Sequence, residues 1–355
     1  MPSIHLAQVK LGDKIAQDVH TPLGGILFHK GKIVTIREIE ILNAFLVSHV
    51  VVESREGAME QAAASAVEEV QLKERTSLHR EYDALLELLK TIYRQFTTGQ
   101  SMPILEIRTR LEALLQHIKE YNILTFLPEV AAEEDYIFHN SLMSAMTSYL
   151  LAQWVGLPQR DWMQVALAGL FHDIGNIKVD KDLLHKPASL THAEIEEMKQ
   201  HTVHGYQLLK NVPAINEGVK LTALQHHEKV DGSGYPLGVT GDNIHAYARI
   251  VAIADIFHAM TLKRSYRKAA SPYIVMEQIQ KESFGKLDPG YVQIFIEKAT
   301  QFHNGMIVRL SDERIGEIVF SDRTYPTRPW VSVQGTIVNL TTERHLYIQE
   351  ILHHG

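Results

Sequence analysis

Apolar residues recur at three- and four-residue steps through the second part of the chain. They mark one face of a helix over residues 78–96 and again over 104–121, and Gly99 and Pro103 interrupt the pattern between them. Residues three and four apart lie on the same side of a helix, so this spacing predicts two amphipathic helices. We therefore assign residues 56–134 to a helical linker or stalk.

The two ends of the chain carry a different pattern. In residues 1–55, short apolar runs alternate with glycine and proline turns, and a short helix is predicted over 37–45. Near the other end, four runs typical of strands occupy residues 306–310, 315–320, 330–333 and 336–340. We expect a small β-rich N-terminal module of the α+β type at 1–55 and a β-rich C-terminal appendage at 301–355.

The remaining part, residues 135–300, is predicted to be an all-helical domain. Thr191 and Glu194 have the spacing of a capping box, which predicts a helix that starts there and runs toward Leu209. Further helical stretches are predicted over 246–260 and 272–281. The expected fold class is mainly α: an all-helical domain with a small N-terminal module, a helical linker and a small β-rich appendage.

Composition and charge narrow the classes of function. The 355 residues include no cysteine, which excludes disulfides, thiolate metal sites, iron–sulfur clusters and cysteine nucleophiles. The formal net charge of −7 gives no global positive field for a nucleic-acid polymer or an anionic membrane. Neither a signal-peptide core near the start nor an apolar run of about 18 residues is present, so we expect a soluble, cytoplasmic protein.

The predicted linker carries most of the acidic excess, with 14 acidic and 8 basic residues between 56 and 134. One interpretation is a solvated acidic hairpin that connects two domains. The alternative is a stalk through which two copies form a homodimer or transmit a signal.

Histidines and isolated carboxylates concentrate in the predicted helical domain. Ten of the 20 histidines lie between residues 139 and 258, and Asp173 and Asp255 sit within or directly after apolar runs. An acid is costly to bury there unless it is paired or ligated. Imidazole and carboxylate ligands suit a borderline-to-hard metal such as Fe, Mn or Zn. We therefore expect a metal centre built from Asp135, His139, His172, Asp173, His201, His226, His227 and Asp255.

Two further segments point to an anionic substrate. The glycine-rich loop 231–236 follows the His226-His227 pair, where Tyr235 can offer a ring face to a base. Arg264 and Arg267 form a local basic cluster that suits phosphate, because a guanidinium can donate two parallel hydrogen bonds. The alternative for that cluster is a helix C-terminus that attracts cations through its dipole.

Taken in order, these residues resemble the HD-GYP family, a branch of the HD metal-dependent phosphohydrolases. The resemblance covers a little under half of the chain and is carried by His139, His172-Asp173-Ile174-Gly175, His201, His226-His227-Glu228, Asp231-Gly232-Ser233-Gly234-Tyr235-Pro236 and Asp255. It implies hydrolysis of cyclic di-GMP to pGpG and often on to GMP. Some members of the family prefer cyclic GMP–AMP.

The resemblance also implies how the ligands are shared. One ion would be held by His139, His172, Asp173 and Asp255, and Asp173 would bridge to a second held by His201, His226 and His227. Asp135 matches the position of a ligand to a third ion, where such members commonly have Glu. We expect two or three divalent ions, with iron first and manganese or zinc as alternatives. Arg264 and Arg267 would contact phosphate, and Gly234 and Tyr235 would lie beside the nucleotide.

The implied mechanism uses a water between two ions, which lower its pKa so that hydroxide attacks the phosphorus. We expect catalytic roles for Asp173, Asn176 and Glu228, the last as a proton shuttle or a structural anchor. The family usually has Lys at the position of Asn176, so a cation is lost near the scissile phosphate. Two alternatives follow: a sensor that binds the dinucleotide without turnover, and a phosphohydrolase acting on another nucleotide such as an alarmone.

Overall fold

The structure is a computed structural model that describes residues 3–21, 24–53, 76–97, 102–128, 130, 132–184, 186, 188–263, 269–301 and 304–353. The chain divides into two compact units. The strand unit is formed by residues within 1–76 and 300–355, and the helical unit by Ser77–Ala299. Across the ranges just given, no helix combines the length and the apolar character needed to span a bilayer.

The N-terminal part of the strand unit contains two short hairpins and a helix. Strand β1 (Ser3–His5) pairs with β4 (His49–Val51), and β2 (Val19–His20) pairs with β3 (Ile26–Phe28), both antiparallel. Helix α1 (Ile36–Ala44) confirms the helix predicted over 37–45. Thr35 and Glu38 form a capping box at its start, which satisfies backbone N–H groups that the helix leaves unpaired.

The C-terminal part of the strand unit is a five-stranded antiparallel sheet with the order β8-β7-β6-β5-β9. Its strands are β5 (Ile307–Leu310), β6 (Ile315–Phe320), β7 (Trp330–Val333), β8 (Thr336–Asn339) and β9 (Ile348–His353). The first four confirm the predicted strands. The fifth was missed in the sequence, although it pairs with β5 and forms one edge of the sheet.

Both ends of the chain contribute to one apolar core, which includes Phe28 and Ile41 together with Ile307, Ile315 and Leu352. The sequence analysis treated the N-terminal module and the C-terminal appendage as separate parts. The structure places them in one unit, because neither the N-terminal hairpins and helix nor the C-terminal sheet covers its own apolar face alone. The other boundaries of the four-part division stay a prediction.

The helical unit confirms a mainly helical fold with a small strand-rich part elsewhere. Its helices are α2 (Ser77–Thr97), α3 (Ile104–Gln116), α4 (Tyr136–Trp154), α5 (Gln159–Phe171), α6 (Lys181–Leu184), α7 (His192–Leu209), α8 (Glu217–Gln225), α9 (Ala246–Thr261), α10 (Pro272–Glu282) and α11 (Pro289–Ala299). A 3-10 helix (Ile174–Lys178) follows α5. The capping box of Thr191 and Glu194 begins α7, as predicted.

Helices α4, α5 and α9 form the centre of the helical unit. Most residues of α4 and α9 are buried, so both helices are enclosed on several sides. The ends of α5 and α8 and the middle of α9 therefore approach one another, and these are the points at which the histidines and acids of interest lie.

Helix α2 belongs to the helical unit and packs against α3 and α4. Its apolar stripe, with Leu78, Tyr82, Leu85 and Leu89, is buried. The predicted helices of the linker are therefore confirmed where the structure describes them. Residues 56–75 lie outside the described residues, and dimerisation through residues 56–134 stays a prediction.

Candidate metal centre

Two groups of potential metal ligands meet at the carboxylate of Asp173. The first ligand group consists of His172, Asp173 and Asp255, and the second ligand group of Asp173, His201, His226 and His227. Within each group, the ligand atoms all lie within 4.8 Å of one another. Six residues from four separate segments of the sequence therefore converge.

Each oxygen of Asp173 faces a different group. Oδ1 lies 3.4 Å from Nε2 of His201 and 3.6 Å from Nε2 of His226. Oδ2 lies 3.4 Å from Nε2 of His172, which is also 3.4 Å from Oδ1 of Asp255. Atoms that each lie about 2.1 Å from one tetrahedral ion are about 3.4 Å apart, so these spacings match ligands around a shared ion.

Backbone carbonyls fix the orientation of three imidazoles. Nδ1 lies 2.8 Å from the Gly169 oxygen in His172, 2.7 Å from the Met198 oxygen in His201, and 3.1 Å from the Thr222 oxygen in His226. A carbonyl only accepts, so in this arrangement each Nδ1 carries the proton and donates it. Nε2 is then left as the lone-pair nitrogen, which is how proteins present histidine to a metal.

The resulting arrangement of lone pairs is typical of a site that binds a cation. Nε2 of His201 and Nε2 of His226 lie 3.3 Å apart, although both would be acceptors in the tautomer just described. In the described part of the chain, Nε2 of the fully buried His172 makes no hydrogen bond. A cation between these atoms resolves both mismatches. The donor set of imidazole nitrogen and carboxylate oxygen therefore fits a divalent metal.

Electrostatics keep both acids of the ligand groups ionised. Burial raises the pKa of Asp173, but the neighbouring imidazoles, first of all that of His172, hold it well below its ordinary value. Burial likewise raises the pKa of Asp255, which the nearby imidazole of His172 then lowers below its ordinary value. Ionised carboxylates are the form that binds metal.

The histidines respond in opposite directions. Burial lowers the pKa of His172, but the charge of Asp173 overrides burial and holds that pKa well above its ordinary value. Burial lowers the pKa of His227 well below its ordinary value, and the charge of His226 acts in the same direction. A bound cation competes with the proton of His172, because both need the same ring nitrogen.

Close to Asp173, the backbone of the 3-10 helix lies so near the backbone of α7 that no side chain fits between them. The 3-10 helix packs against α7, and a Cβ on Gly175 would lie 1.8 Å from the backbone oxygen of His201. Only glycine fits at that distance. Gly175, the second residue after the His-Asp pair, thus sets how near Asp173 comes to His201.

Tyr235 stacks on the second ligand group. Its ring lies 4.8 Å from the ring of His227 with an interplanar angle of 30°. The Lys199 ammonium lies 5.4 Å from the centre of the Tyr235 ring on its face. Gly234 permits a tight loop beside it, since a Cβ there would lie 2.4 Å from the Lys229 nitrogen.

Glu228 anchors the loop that carries Tyr235. Its Oε1 accepts hydrogen bonds from the backbone nitrogens of Leu237, at 2.6 Å, and Gly238, at 3.2 Å. The side chain is buried, with 4% of its residue exposed. This geometry favours the structural interpretation of Glu228 over the proton shuttle, and its catalytic role stays a prediction.

Asp135 and His139 lie in other contacts. Oδ2 of Asp135 accepts from the Lys90 ammonium at 2.9 Å, and Nδ1 of His139 lies 2.8 Å from the Tyr82 hydroxyl. Among the described residues, the two ligand groups include neither side chain, so the ligand roles of Asp135 and His139 stay predictions.

Asn176 lines a cavity of about 910 Å³ together with Lys90, Arg94, Asp135 and Lys181. Lys90 and Arg94 come from α2, so cations from outside the resembling segment share this cavity with Asn176. The sequence analysis missed that possibility because α2 offered only an apolar stripe and an acidic surface as signals. Arg264 and Arg267 lie outside the described residues, and their phosphate contacts stay predictions.

Two polar residues outside the predicted ligand set lie near the centre, Asn140 and His258. Asn140 donates from Nδ2 to Oδ1 of Asp255 at 2.8 Å, which orients that carboxylate. His258 is fully buried, and its Nε2 lies 2.7 Å from the Thr147 hydroxyl. Burial lowers the pKa of His258 to about 3, so its ring is a neutral part of the core at neutral pH.

Comparison with known proteins identifies the domain that contains this centre. Residues 125–290 match the family model described as "HD domain". This part of the chain therefore contains an HD domain, in agreement with the resemblance to the HD-GYP family. The match begins after α2 and α3, so both of these helices of the unit lie outside it.

Curated relatives of this HD domain include cyclic dinucleotide phosphodiesterases. Cyclic di-GMP phosphodiesterase PA4108 of Pseudomonas aeruginosa is 26% identical over 230 residues, 64% of this chain and 55% of that protein. The 3'3'-cGAMP-specific phosphodiesterase 1 of Vibrio cholerae is 34% identical over 176 residues, 49% of this chain and 40% of that protein. The cyclic di-GMP phosphodiesterase response regulator RpfG of Xanthomonas campestris is 36% identical over 154 residues, 43% of this chain and 40% of that protein.

The chain therefore spans about half the length of the curated relatives that it matches, or less. Among solved structures, the HD-GYP-type protein Bd1817 of Bdellovibrio bacteriovorus is similar over 83% of this chain and 97% of its own, with 15% identity and a TM-score of 0.49.

Proposed function

We propose that this chain is a metal-dependent phosphodiesterase that hydrolyses cyclic di-GMP to pGpG, and onward to GMP. The observation that carries the proposal is the carboxylate of Asp173, whose two oxygens face two separate ligand groups. An acid in that position suits a pair of neighbouring ions. The cyclic di-GMP phosphodiesterases among the relatives favour a cyclic dinucleotide as the substrate.

Two divalent ions are the proposed cofactors, with iron first and manganese or zinc as alternatives. His172, Asp173 and Asp255 would hold one ion, with His139 as a further ligand, and the second ligand group would hold the other. When bound, a pair of divalent ions acts as a Lewis acid toward phosphoryl oxygens and makes water acidic enough to react at neutral pH.

The ion pair of Asp135 with Lys90 argues for two ions in preference to three. The Lys90 ammonium already lies 2.9 Å from the carboxylate that a third ion would use. It is a fixed positive charge, so a divalent ion at the same oxygen would meet like-charge repulsion.

The chain's own residues would hold and orient the substrate. The ring of Tyr235 would stack with a guanine base, with Lys199 close to the same ring. Arg264 and Arg267 would donate to the phosphate oxygens. Lys90 supplies a cation to the cavity in which Asn176 replaces a basic residue. Hydrolysis then forms a bond from a water oxygen to phosphorus and breaks the bond to the 3′ oxygen, which takes up a proton.

The proposal predicts turnover of cyclic di-GMP that depends on Asp173. Protein loaded anaerobically with iron, or with manganese, should release pGpG, measured by chromatography. Asp173→Ala should lose activity by at least about a thousandfold, because it removes a ligand from both groups. Asp18→Ala is the matched control, since Asp18 pairs with the exposed His29 in the strand unit, and it should keep wild-type activity.

Other outcomes would contradict the proposal in distinct ways. Tight binding of cyclic di-GMP without product would support the sensor alternative. Faster cleavage of 3'3'-cyclic GMP–AMP than of cyclic di-GMP would change the substrate, as the Vibrio relative suggests. Activity on an alarmone alone would exclude cyclic dinucleotides.

A further inference from the structure

We infer that Tyr82 is a positioning residue for the metal centre: its hydroxyl fixes the ring of His139 so that Nε2 is the nitrogen left to bind an ion. The inference rests on the proposed function, in which His139 is a ligand. It gives helix α2, which lies outside the HD family match, a direct part in building the site.

The contact between Tyr82 and His139 is short and enclosed. The Tyr82 hydroxyl lies 2.8 Å from Nδ1 of His139, and both residues are almost fully buried. The two rings are also nearly parallel, with centres 5.8 Å apart and an interplanar angle of 21°. A hydrogen bond removed from water and supported by ring packing restricts rotation of the imidazole.

Tyr82 is itself held in place on both sides. The ring of Phe126 meets it edge to face at 5.2 Å and 63°. Leu78 and Leu85, one turn before and one turn after on α2, are completely buried. The hydroxyl therefore comes from a rigid part of the helix and cannot swing toward solvent.

The hydrogen bond at His139 completes a pattern seen at three other histidines. His172, His201 and His226 each have Nδ1 against a backbone carbonyl oxygen. At His139 the corresponding partner is a side chain from a helix far away in sequence. If Nε2 binds an ion, Nδ1–H donates to the phenolic oxygen of Tyr82, as outer partners of metal-binding histidines do.

A second contact of α2 supports the same role. Lys90 lies two turns after Tyr82 on α2, and its ammonium pairs with Asp135, the residue before the first turn of α4. Tyr82 and Lys90 thus hold Asp135 and His139 from one helix. The match to the HD domain model begins at residue 125, so it contains neither Tyr82 nor Lys90.

Titration of the full chain with Mn²⁺ tests the inference. Wild-type protein should bind two ions, followed by isothermal calorimetry and by the loss of the free Mn²⁺ resonance signal. Tyr82→Phe should weaken one of the two sites by about 10- to 100-fold and leave the other unchanged. Tyr121→Phe is the matched control: it removes a buried hydroxyl that bonds to Thr147, and both sites should keep wild-type affinity.

Three further measurements separate positioning from a general loss of stability. At saturating Mn²⁺, Tyr82→Phe should regain most of its kcat for cyclic di-GMP, with KM changed less than twofold. The double variant with His139→Ala should bind Mn²⁺ as His139→Ala alone does, because Tyr82 acts only through the ring of His139. Thermal unfolding of metal-free protein should show that Tyr82→Phe and Tyr121→Phe are comparably folded.

The inference is overturned if Tyr82→Phe binds both ions as tightly as the wild type, or if it weakens binding equally in the His139→Ala background. The proposed function is tested separately by wild-type turnover. Wild-type protein that binds two ions but cleaves no cyclic dinucleotide contradicts the enzyme and leaves the Tyr82 comparison readable. Wild-type protein that binds no Mn²⁺ overturns both.

Discussion

Histidines gather in both units of this molecule, but among the described residues those of the helical unit are the ones that form clusters of potential metal ligands. In the strand unit, the rings of His5 and His49 meet at 5.1 Å, and His29 lies 3.6 Å from Asp18. In the helical unit, His172 and His226 are almost fully buried and share the Asp173 carboxylate with His201. In both units, therefore, imidazole rings lie close to other rings or to carboxylates.

The difference lies in what surrounds the nitrogen atoms. Side chains of His29 and Asp18 are 69% and 40% exposed, so water solvates each partner and the pair contributes little. At Asp173, carbonyls fix the nearby rings, and the side chains of His172, His201 and His226 are at most 4% exposed, with their Nε2 atoms facing the carboxylate. Burial and fixed tautomers, rather than the number of histidines, distinguish a site that needs a cation.

Removing one imidazole from each region is the most severe test of this comparison. His226→Ala should lower metal-dependent hydrolysis by at least about a hundredfold and reduce bound metal, because it opens the second ligand group. His49→Ala should leave both unchanged. Elemental analysis and turnover of the two variants give the result. Equal metal content in the two variants would contradict the distinction drawn between the regions.

A smaller effect is expected from shifting the site without removing a ligand. Gly175→Ala forces the 3-10 helix away from the His201 backbone oxygen, which should destabilise the helical unit by about 2 kcal/mol. A displacement of Asp173 on the order of 1 Å should also lower kcat by about a hundredfold.

Gly290→Ala is the control for this change, because its added carbon would lie 3.4 Å from a side-chain oxygen of Asp288. Denaturant unfolding and turnover should both stay near wild-type values for that variant. A Gly175→Ala variant with normal turnover would show that the spacing between Asp173 and His201 is not critical.

The smallest expected effect concerns pH and the buried His258. Its pKa is about 3 in the folded state and near the ordinary 6.5 when unfolded, so the unfolded chain binds an extra proton between these values. Folding stability should therefore fall as pH drops from about 6.5 toward 3, by up to about 1.4 kcal/mol per pH unit from this group. Above pH 7 the contribution is constant.

His258→Gln removes this titration while keeping a polar group near Thr147. The variant should show a shallower loss of stability over the same pH range, measured by urea unfolding at several pH values. An unchanged slope would mean that His258 is accessible to protons in the folded protein.

The sequence predicted most helices and four strands because their apolar spacing is regular. It missed β9, whose residues Ile348 and Leu352 bury apolar side chains only because β5 lies beside them. The common core of the two chain ends also depends on tertiary pairing, which local spacing does not contain.

The residues of the candidate site likewise divide into those that the local sequence reveals and those that only the tertiary structure reveals. Asp173 and Asp255 could be picked out because acids next to apolar runs are unusual, and the His226-His227 pair stood beside a glycine-rich loop. Tyr82 could not, because a tyrosine within an apolar helical stripe is indistinguishable from an ordinary core residue. Its hydroxyl gains meaning only from the 2.8 Å contact with His139.

Because Phe28 and Ile41 from one end of the chain and Ile307 and Leu352 from the other fill a single interior, truncation is not a neutral operation on this protein. Trimming the N-terminus alone would strip the cover from a β-sheet, and trimming the C-terminus alone would strip it from two small hairpins. Either product would display an adhesive apolar surface. Deletion studies should therefore remove both termini together or neither.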